Sequence, residues 1–185
     1  MNISVFCASS HPKDPSIAQA AESLGRLLAQ GGHTLLYGGS NLGLMGCVSS
    51  STYSGGGEVV AVIPTFFSEE IIMSQPVSKL VRVKSMAERK EYLIANSDAF
   101  IALPGGIGTL DEVLEVLVHN QLGSLRDKNH RDKPVVLYNP DGFWDHFLRQ
   151  IEQMGLGGFY RSGKAPKLIT SDNIEKIVSI VTSDQ

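Results

Sequence analysis

The 185-residue chain has the length of one domain with a core of ordinary size, and 42% hydrophobic against 19% charged residues is a globular composition, not a disordered one. A formal net charge of -3 excludes any global attraction to nucleic acid or an anionic membrane, so a bound phosphate must be held by a local site. No run reaches the length of a membrane span, and the N-terminus enters a strand without a charged leader; the expectation is a cytoplasmic protein. Cys7 and Cys47, with no C-x-x-C spacing, are expected to be reduced core or near-core residues.

Ile3 to Phe6 is a short apolar run ending in Ala8-Ser9-Ser10, a strand followed by a loop. Asp14-Pro15 starts a helix: Asp14 accepts orphan N–H groups and Pro15 suits the first turn. Ile17, Ala20, Ala21, Leu24, Leu27 and Leu28 share one face of it, and Gly31-Gly32 ends it. Thr34 to Tyr37 is the second strand. A helix begins near Leu44 and stops at Gly55-Gly56-Gly57, and Val59 to Ile63 is the third strand, closed by Pro64. Phe66 to Ser78 reads as a short helix and a turn, and Leu80 to Val83 as a strand.

Ser85-Met86-Ala87-Glu88 has capping-box spacing and opens a helix to about Asn96. Ala99 to Leu103 is a buried strand and Thr109 to Gln121 a helix. Pro134 to Tyr138, Phe143 to Met154, Leu168 to Thr170 and Asn173 to Thr182 complete the alternation of strand and helix. Such alternation predicts an α/β fold: a Rossmann-like, doubly wound, mostly parallel sheet with helices on both faces, in one domain over residues 1–185. The polar stretches Gly123 to Lys133 and Gly155 to Lys167 are expected to be mobile, and neither is long enough to divide the domain.

Ligands of open parallel sheets sit beyond the carboxyl ends of the strands, where two glycine-rich turns fall. In Pro104-Gly105-Gly106-Ile107-Gly108-Thr109 the glycines allow close backbone approach, and the following helix start offers N–H groups and a favourable dipole to a phosphate. Thr109 adds a hydroxyl. The second turn, Gly38 to Gly46, is neither G-x-G-x-x-G nor a P-loop; approach to a nucleotide and packing against the sheet explain it equally well.

On the helix after the phosphate turn, Leu110, Val113, Leu114 and Leu117 form a core face, while Glu112, Glu115 and His119 fall within a separate arc of roughly 60°. Asp111 and Glu112 near the helix start have two readings, complement of the helix dipole or, for Glu112, chemistry on a bound ligand; spacing alone does not decide. Arg89 and Lys90 sit in the first turns of the preceding helix, where cations call for a negative neighbour, and a bound phosphate would be one. The five histidines, 11, 33, 119, 130 and 146, have no metal-ligand spacing, so neither a metal nor another cofactor is expected.

These segments together resemble the Lonely Guy (LOG) family of cytokinin riboside 5′-monophosphate phosphoribohydrolases over nearly the whole chain. The resemblance rests on Val5 to Ser10, Tyr37-Gly38-Gly39 with Gly43 to Gly46, Val60 to Pro64, Met86 with Glu88-Arg89-Lys90, Ser97 to Leu103, Gln121-Leu122-Gly123 and Lys133-Pro134. The family's P-G-G-x-G-T-x-x-E signature runs complete from Pro104 to Glu112. The resemblance implies hydrolysis of the base–ribose bond of a nucleoside 5′-monophosphate, with Arg89 and Glu112 catalytic. It implies nucleotide contacts from Lys90, Gly105, Gly106, Gly108 and Thr109, joined by Ser9, Gly39 and Met86. It also implies a homodimer or higher oligomer with sites near the subunit interface. Such proteins have often been labelled lysine decarboxylases, yet no lysine here has a pyridoxal-phosphate context. Three departures bear on base preference: Ala87 replaces the family's histidine, Val118-His119 replaces its T-W pair, and the loop Ser124 to Asp132 is longer. The rival reading is a non-catalytic nucleotide or molybdenum-cofactor carrier of the same fold, which needs the phosphate turn but not the Arg–Glu pair.

Overall fold

The computed structural model describes residues 1–67, 76–127, 130–160 and 165–183. Seven strands form one sheet: β1 (Asn2–Phe6), β2 (Thr34–Tyr37), β3 (Val59–Pro64), β4 (Lys79–Val83), β5 (Ala99–Ala102), β6 (Val135–Tyr138) and β7 (Ile169–Ser171). Their order is β4-β3-β2-β1-β5-β6-β7, and every pair among the described residues is parallel. Among the described residues five α-helices lie between strands, α1 (Pro15–Gln30), α2 (Gly43–Ser54), α3 (Met86–Asn96), α4 (Ile107–Arg126) and α5 (Asp145–Leu156), and α6 (Ile174–Thr182) follows β7. The α/β, Rossmann-like architecture expected from the alternation is the one observed.

Parallel neighbours require crossovers, and the crossovers cover both faces. On one face α1, α2 and α6 pack Leu24, Leu28, Leu44, Val48, Ile174 and Ile177 against Ile3, Val5, Leu35 and Ile101. On the other, α3, α4 and α5 bring Leu93, Val113, Val116, Leu117, Trp144 and Ile151 against Phe6, Val62, Phe100 and Leu137. Covered twice, β3, β5 and β6 are buried at every residue, which is why they read as unbroken apolar runs.

The helix starts follow their caps. Asp14 accepts a hydrogen bond from Ser16 N at 2.8 Å, with Pro15 in the first turn. Ser85 Oγ accepts from Glu88 N, while Glu88 Oε2 accepts from Lys84 N, one residue before the expected reciprocal partner. Asn173 caps α6 through Lys176 N.

Some boundaries differ from expectation for local reasons. Helix α4 runs to Arg126, through Gly123, instead of stopping at Gln121. Gly123 is no breaker here: a Cβ at that position would fall on the His130 ring, so the glycine makes room for it. Helix α5 starts at Asp145 because a 3-10 turn, Pro140–Gly142, precedes it, and it runs through Gly155 to Leu156. Both changes shorten the stretches expected to be mobile. The core face of α4 carries Val116, not Leu114, which is 38% exposed. Of the segment Phe66 to Ser78, residues 68–75 lie outside the described residues, as do 128–129, 161–164 and 184–185.

Candidate active site

Strand β1 is where the chain order reverses: β2 lies on one side of it and β5 on the other. The crevice beyond the carboxyl ends of β1 and β5 is the expected ligand position in such a sheet. A cavity of about 450 Å³ lies there. The loop after β1 contributes Cys7 to Ser10, the β2 turn Gly38 to Ser40 with Leu42 and Met45, and the α4 start Gly106, Gly108, Thr109, Asp111 and Glu112. Met86 and Arg89 of α3 with Ile63 and Phe67 close the other side.

The glycine turn leads into a helix with a bare start. Gly106 is the N-cap of α4, with no side-chain cap, and the first intrahelical bond in this turn is Leu110 N to Gly106 O at 3.1 Å. The N–H groups ahead of it are orphan donors at the positive end of a 20-residue helix. The three glycines divide the work. A Cβ on Gly106 or Gly108 would meet no atom within 4 Å, leaving the backbone open to a ligand, whereas one on Gly105 would stand 2.6 Å from Thr109 Cβ. Gly105 therefore seats the buried Thr109 and does not line the cavity itself.

Because α4 begins at Ile107, two residues earlier than expected, Asp111 and Glu112 fall beyond its first turn, which holds no acidic residue. Complement of the helix dipole is thus a weak account of either, since that effect fades within one turn. Glu112 is 4% exposed and Arg89 6%, and Arg89 Nη2 donates to Glu112 Oε1 at 2.9 Å. Gly38 makes this possible. A Cβ there would fall on Arg89 Nη2 and stand 2.8 Å from its Cζ, so only glycine leaves the socket open. Arg89 Nε is buried without a hydrogen-bond partner among the described residues, an unsatisfied donor in a side chain that lines the cavity. Burial pushes the Glu112 carboxyl up to about 7, further than the Arg89 guanidinium pulls it down, and Asp111 adds to the rise. Burial likewise raises the Cys7 thiol well above its ordinary value, with the Glu112 charge adding to it.

The remaining sequence-derived residues separate into two groups. Ser9, Gly39 and Met86 line the cavity with Arg89, Gly106, Gly108, Thr109 and Glu112. Lys90 does not: its Nζ lies 2.9 Å from Asp111 Oδ2 and 3.1 Å from Oδ1, and it also pairs with Glu115. The negative neighbours that two cations at a helix start call for are, in this chain, the carboxylates of α4. The second glycine turn packs closely at one end and borders the cavity at the other. A Cβ on Gly43, at φ +60°, would stand 2.5 Å from the Ser9–Ser10 backbone, so glycine lets α2 start close against that loop, while Gly38 and Gly39 line the cavity. Ile63, Phe67, Leu42 and Met45 escaped the sequence reading because their role depends on which strand ends meet; their position after β2 and β3 was the available signal.

The family described as "Possible lysine decarboxylase" matches residues 45–181. The chain is 40% identical over 176 residues to "Cytokinin riboside 5'-monophosphate phosphoribohydrolase LOG" of Oryza sativa subsp. japonica, covering 95% of this chain and 70% of that protein. The chain belongs to the LOG family. A second LOG relative, LOG5 of Arabidopsis thaliana, is 36% identical, covering 95% of this chain and 75% of its own length. Among solved structures, a molybdenum cofactor binding protein from Rippkaea orientalis superposes with a TM-score of 0.69 at 24% identity, over 98% of this chain and 95% of that one. The molybdenum cofactor carrier protein of Chlamydomonas reinhardtii gives 0.67 at 21% identity, over 97% and 94%. These two likenesses concern the fold. In this LOG-family chain the signature runs complete from Pro104 to Glu112 and the Arg89–Glu112 pair is formed.

Proposed function

We propose that this LOG-family chain hydrolyses the N-glycosidic bond of a nucleoside 5′-monophosphate, releasing the free base and ribose 5-phosphate. The observation that carries the reading is the buried Arg89–Glu112 pair on the wall of a cavity whose floor is an uncapped, glycine-lined helix start. The phosphate sits on the N–H groups of Gly106 to Thr109, which holds the ribose against the wall of α4. Glu112 lies one turn along the same helix, at the level of the sugar. As the base–C1′ bond breaks, positive charge builds on the ribose ring, and the Glu112 carboxylate stabilises it and orients the attacking water. Water adds its oxygen to C1′; one of its protons leaves with the base. Arg89, whose side chain lines the cavity, binds phosphate or ribose hydroxyl and keeps Glu112 in place.

The carrier reading needs the phosphate floor but gives no use to a buried carboxylate held by an arginine. A pyridoxal-dependent decarboxylase reading needs a lysine amine at the cavity, and no lysine lines it among the described residues. The base end is bounded by Leu42, Met45, Ile63, Phe67 and Met86, an apolar wall suited to adenine and to an N6-alkyl substituent.

The chain acts as a homodimer in this reading. Leu114, Val118 and Leu122 recur at helical spacing on the outer side of α4 and are 38%, 50% and 41% exposed, an apolar stripe that a second copy would cover. Glu112→Gln tests the chemistry: AMP binding by calorimetry stays within about threefold of wild type while turnover falls at least about a hundredfold. Full turnover in that variant refutes the role of Glu112.

A further inference from the structure

Arg89 and Lys90 are consecutive on α3, and their partners Glu112 and Asp111 are consecutive on α4. The two helices are therefore joined by two adjacent rungs. Consecutive helical residues point about 100° apart, so the Arg89–Glu112 rung is enclosed while the Lys90–Asp111 rung lies nearer the surface, with the exposed Asp111 also bordering the cavity. The inner rung is buried on both sides; in the outer rung Lys90 is 16% exposed and Asp111 55%. Glu115, one helical turn beyond Asp111, closes on the same ammonium group.

We infer that Lys90 is a positioning residue, not a phosphate ligand: it clamps α3 to α4 through Asp111 and Glu115, and so sets the geometry and charge of the Arg89–Glu112 pair. This rests on the proposed function for its kinetic consequences, but not for its geometry. An ammonium group has three N–H donors, and three carboxylate oxygens, Asp111 Oδ1, Asp111 Oδ2 and Glu115 Oε2, lie around this one. Both of its carboxylate partners lie on α4, and the side chain does not line the cavity, although its neighbours Arg89 and Asp111 do.

The clamp has an electrostatic consequence. The groups acting on Glu112 are Arg89 and Lys90 from α3 and Asp111 from its own helix, and Cys7 of the β1 end interacts with it as well. Lys90 neutralises Asp111, whose bare charge would otherwise repel the Glu112 carboxylate. Removing Lys90 deletes a charge that favours the Glu112 carboxylate and uncovers one that opposes it, so both changes raise its titration midpoint.

Three variants test this: Lys90→Met, Lys90→Arg, and Lys90→Met combined with Asp111→Asn and Glu115→Gln. Two readouts need no turnover: the Glu112 titration followed by NMR of isotope-labelled glutamate in the unliganded protein, and AMP binding by calorimetry. Lys90→Met is expected to raise the midpoint by at least about half a pH unit. AMP affinity should stay within about threefold while kcat falls about tenfold or more. The triple variant returns the midpoint toward wild type, and Lys90→Arg, which keeps the charge between the carboxylates, retains it. A loss of AMP affinity beyond about tenfold with an unmoved midpoint would make Lys90 a phosphate ligand and overturn the inference. If the wild-type protein releases no base, the proposed function fails on its own, and the titration and binding results still decide the role of Lys90.

Discussion

The carboxyl of Glu112 is the group whose protonation this structure perturbs in the most consequential way, and its effect on stability is measurable. Its midpoint rises from an ordinary 4.5 to about 7 because burial outweighs the Arg89 ion pair. A raised midpoint means the folded state holds this proton more tightly than the unfolded chain does. The stability this supplies is complete below about pH 4.5 and is lost as the pH climbs through about 7. At about 1.4 kcal/mol per pH unit the full effect is about 3 kcal/mol, of which between about 2 and 3 kcal/mol falls between pH 5 and pH 8. Glu112→Gln keeps the shape and removes the titration. Denaturant unfolding of both proteins at pH 5 and pH 8 isolates the term as the difference of differences, since all other groups are shared. The wild type should lose more stability than the variant over this interval by that amount. Parallel losses would show that Glu112 does not titrate there. A wild type that gains stability relative to the variant would show that Arg89 wins over burial, and would refute the electrostatic account.

Three further outcomes follow from the same geometry. The kcat/KM of the free enzyme should rise with pH through a midpoint near 7, because the ionised Glu112 is the form that stabilises a cationic ribose; a pH profile falling over that range would assign it a proton-donating role instead. Gly38→Ala should reduce turnover at least about tenfold with the protein still folded, as judged by circular dichroism, because its Cβ displaces the Arg89 guanidinium from Glu112; unchanged kinetics would dissolve the socket argument. Gly106→Ala should weaken AMP binding by about tenfold, or about 1.4 kcal/mol, with little change in thermal stability, while Gly105→Ala should lower thermal stability through its clash with Thr109; equal behaviour of the two would contradict the division of roles in the turn.

Much of the fold was legible because both of its signals are local. Double burial turns β3, β5 and β6 into unbroken apolar runs, and caps such as Asp14, Ser85 and Asn173 mark helix starts by side-chain hydrogen bonds a few residues long. The exceptions are tertiary. Gly123, inside α4, leaves room for the His130 ring where a side chain would be, and the exchange of Leu114 for Val116 in the core depends on how α4 is rotated against the sheet. At the site, the glycine turn and the charged residues were visible as types and spacings. What sequence could not supply was the partner of each charge. The cations of α3 do sit beside negative groups, but those groups belong to α4, and only the packing of the two helices separates the buried Arg89–Glu112 rung from the more exposed Lys90–Asp111 rung.

The central claim is that the cavity breaks a base–ribose bond. The direct measurement incubates the purified protein with AMP and with isopentenyladenosine monophosphate and quantifies free base and ribose 5-phosphate by chromatography. The account predicts release of both products in equal amounts from at least one of the two nucleotides, abolished in Glu112→Gln. Tight binding of either nucleotide with no release of base would contradict it and leave the chain a carrier.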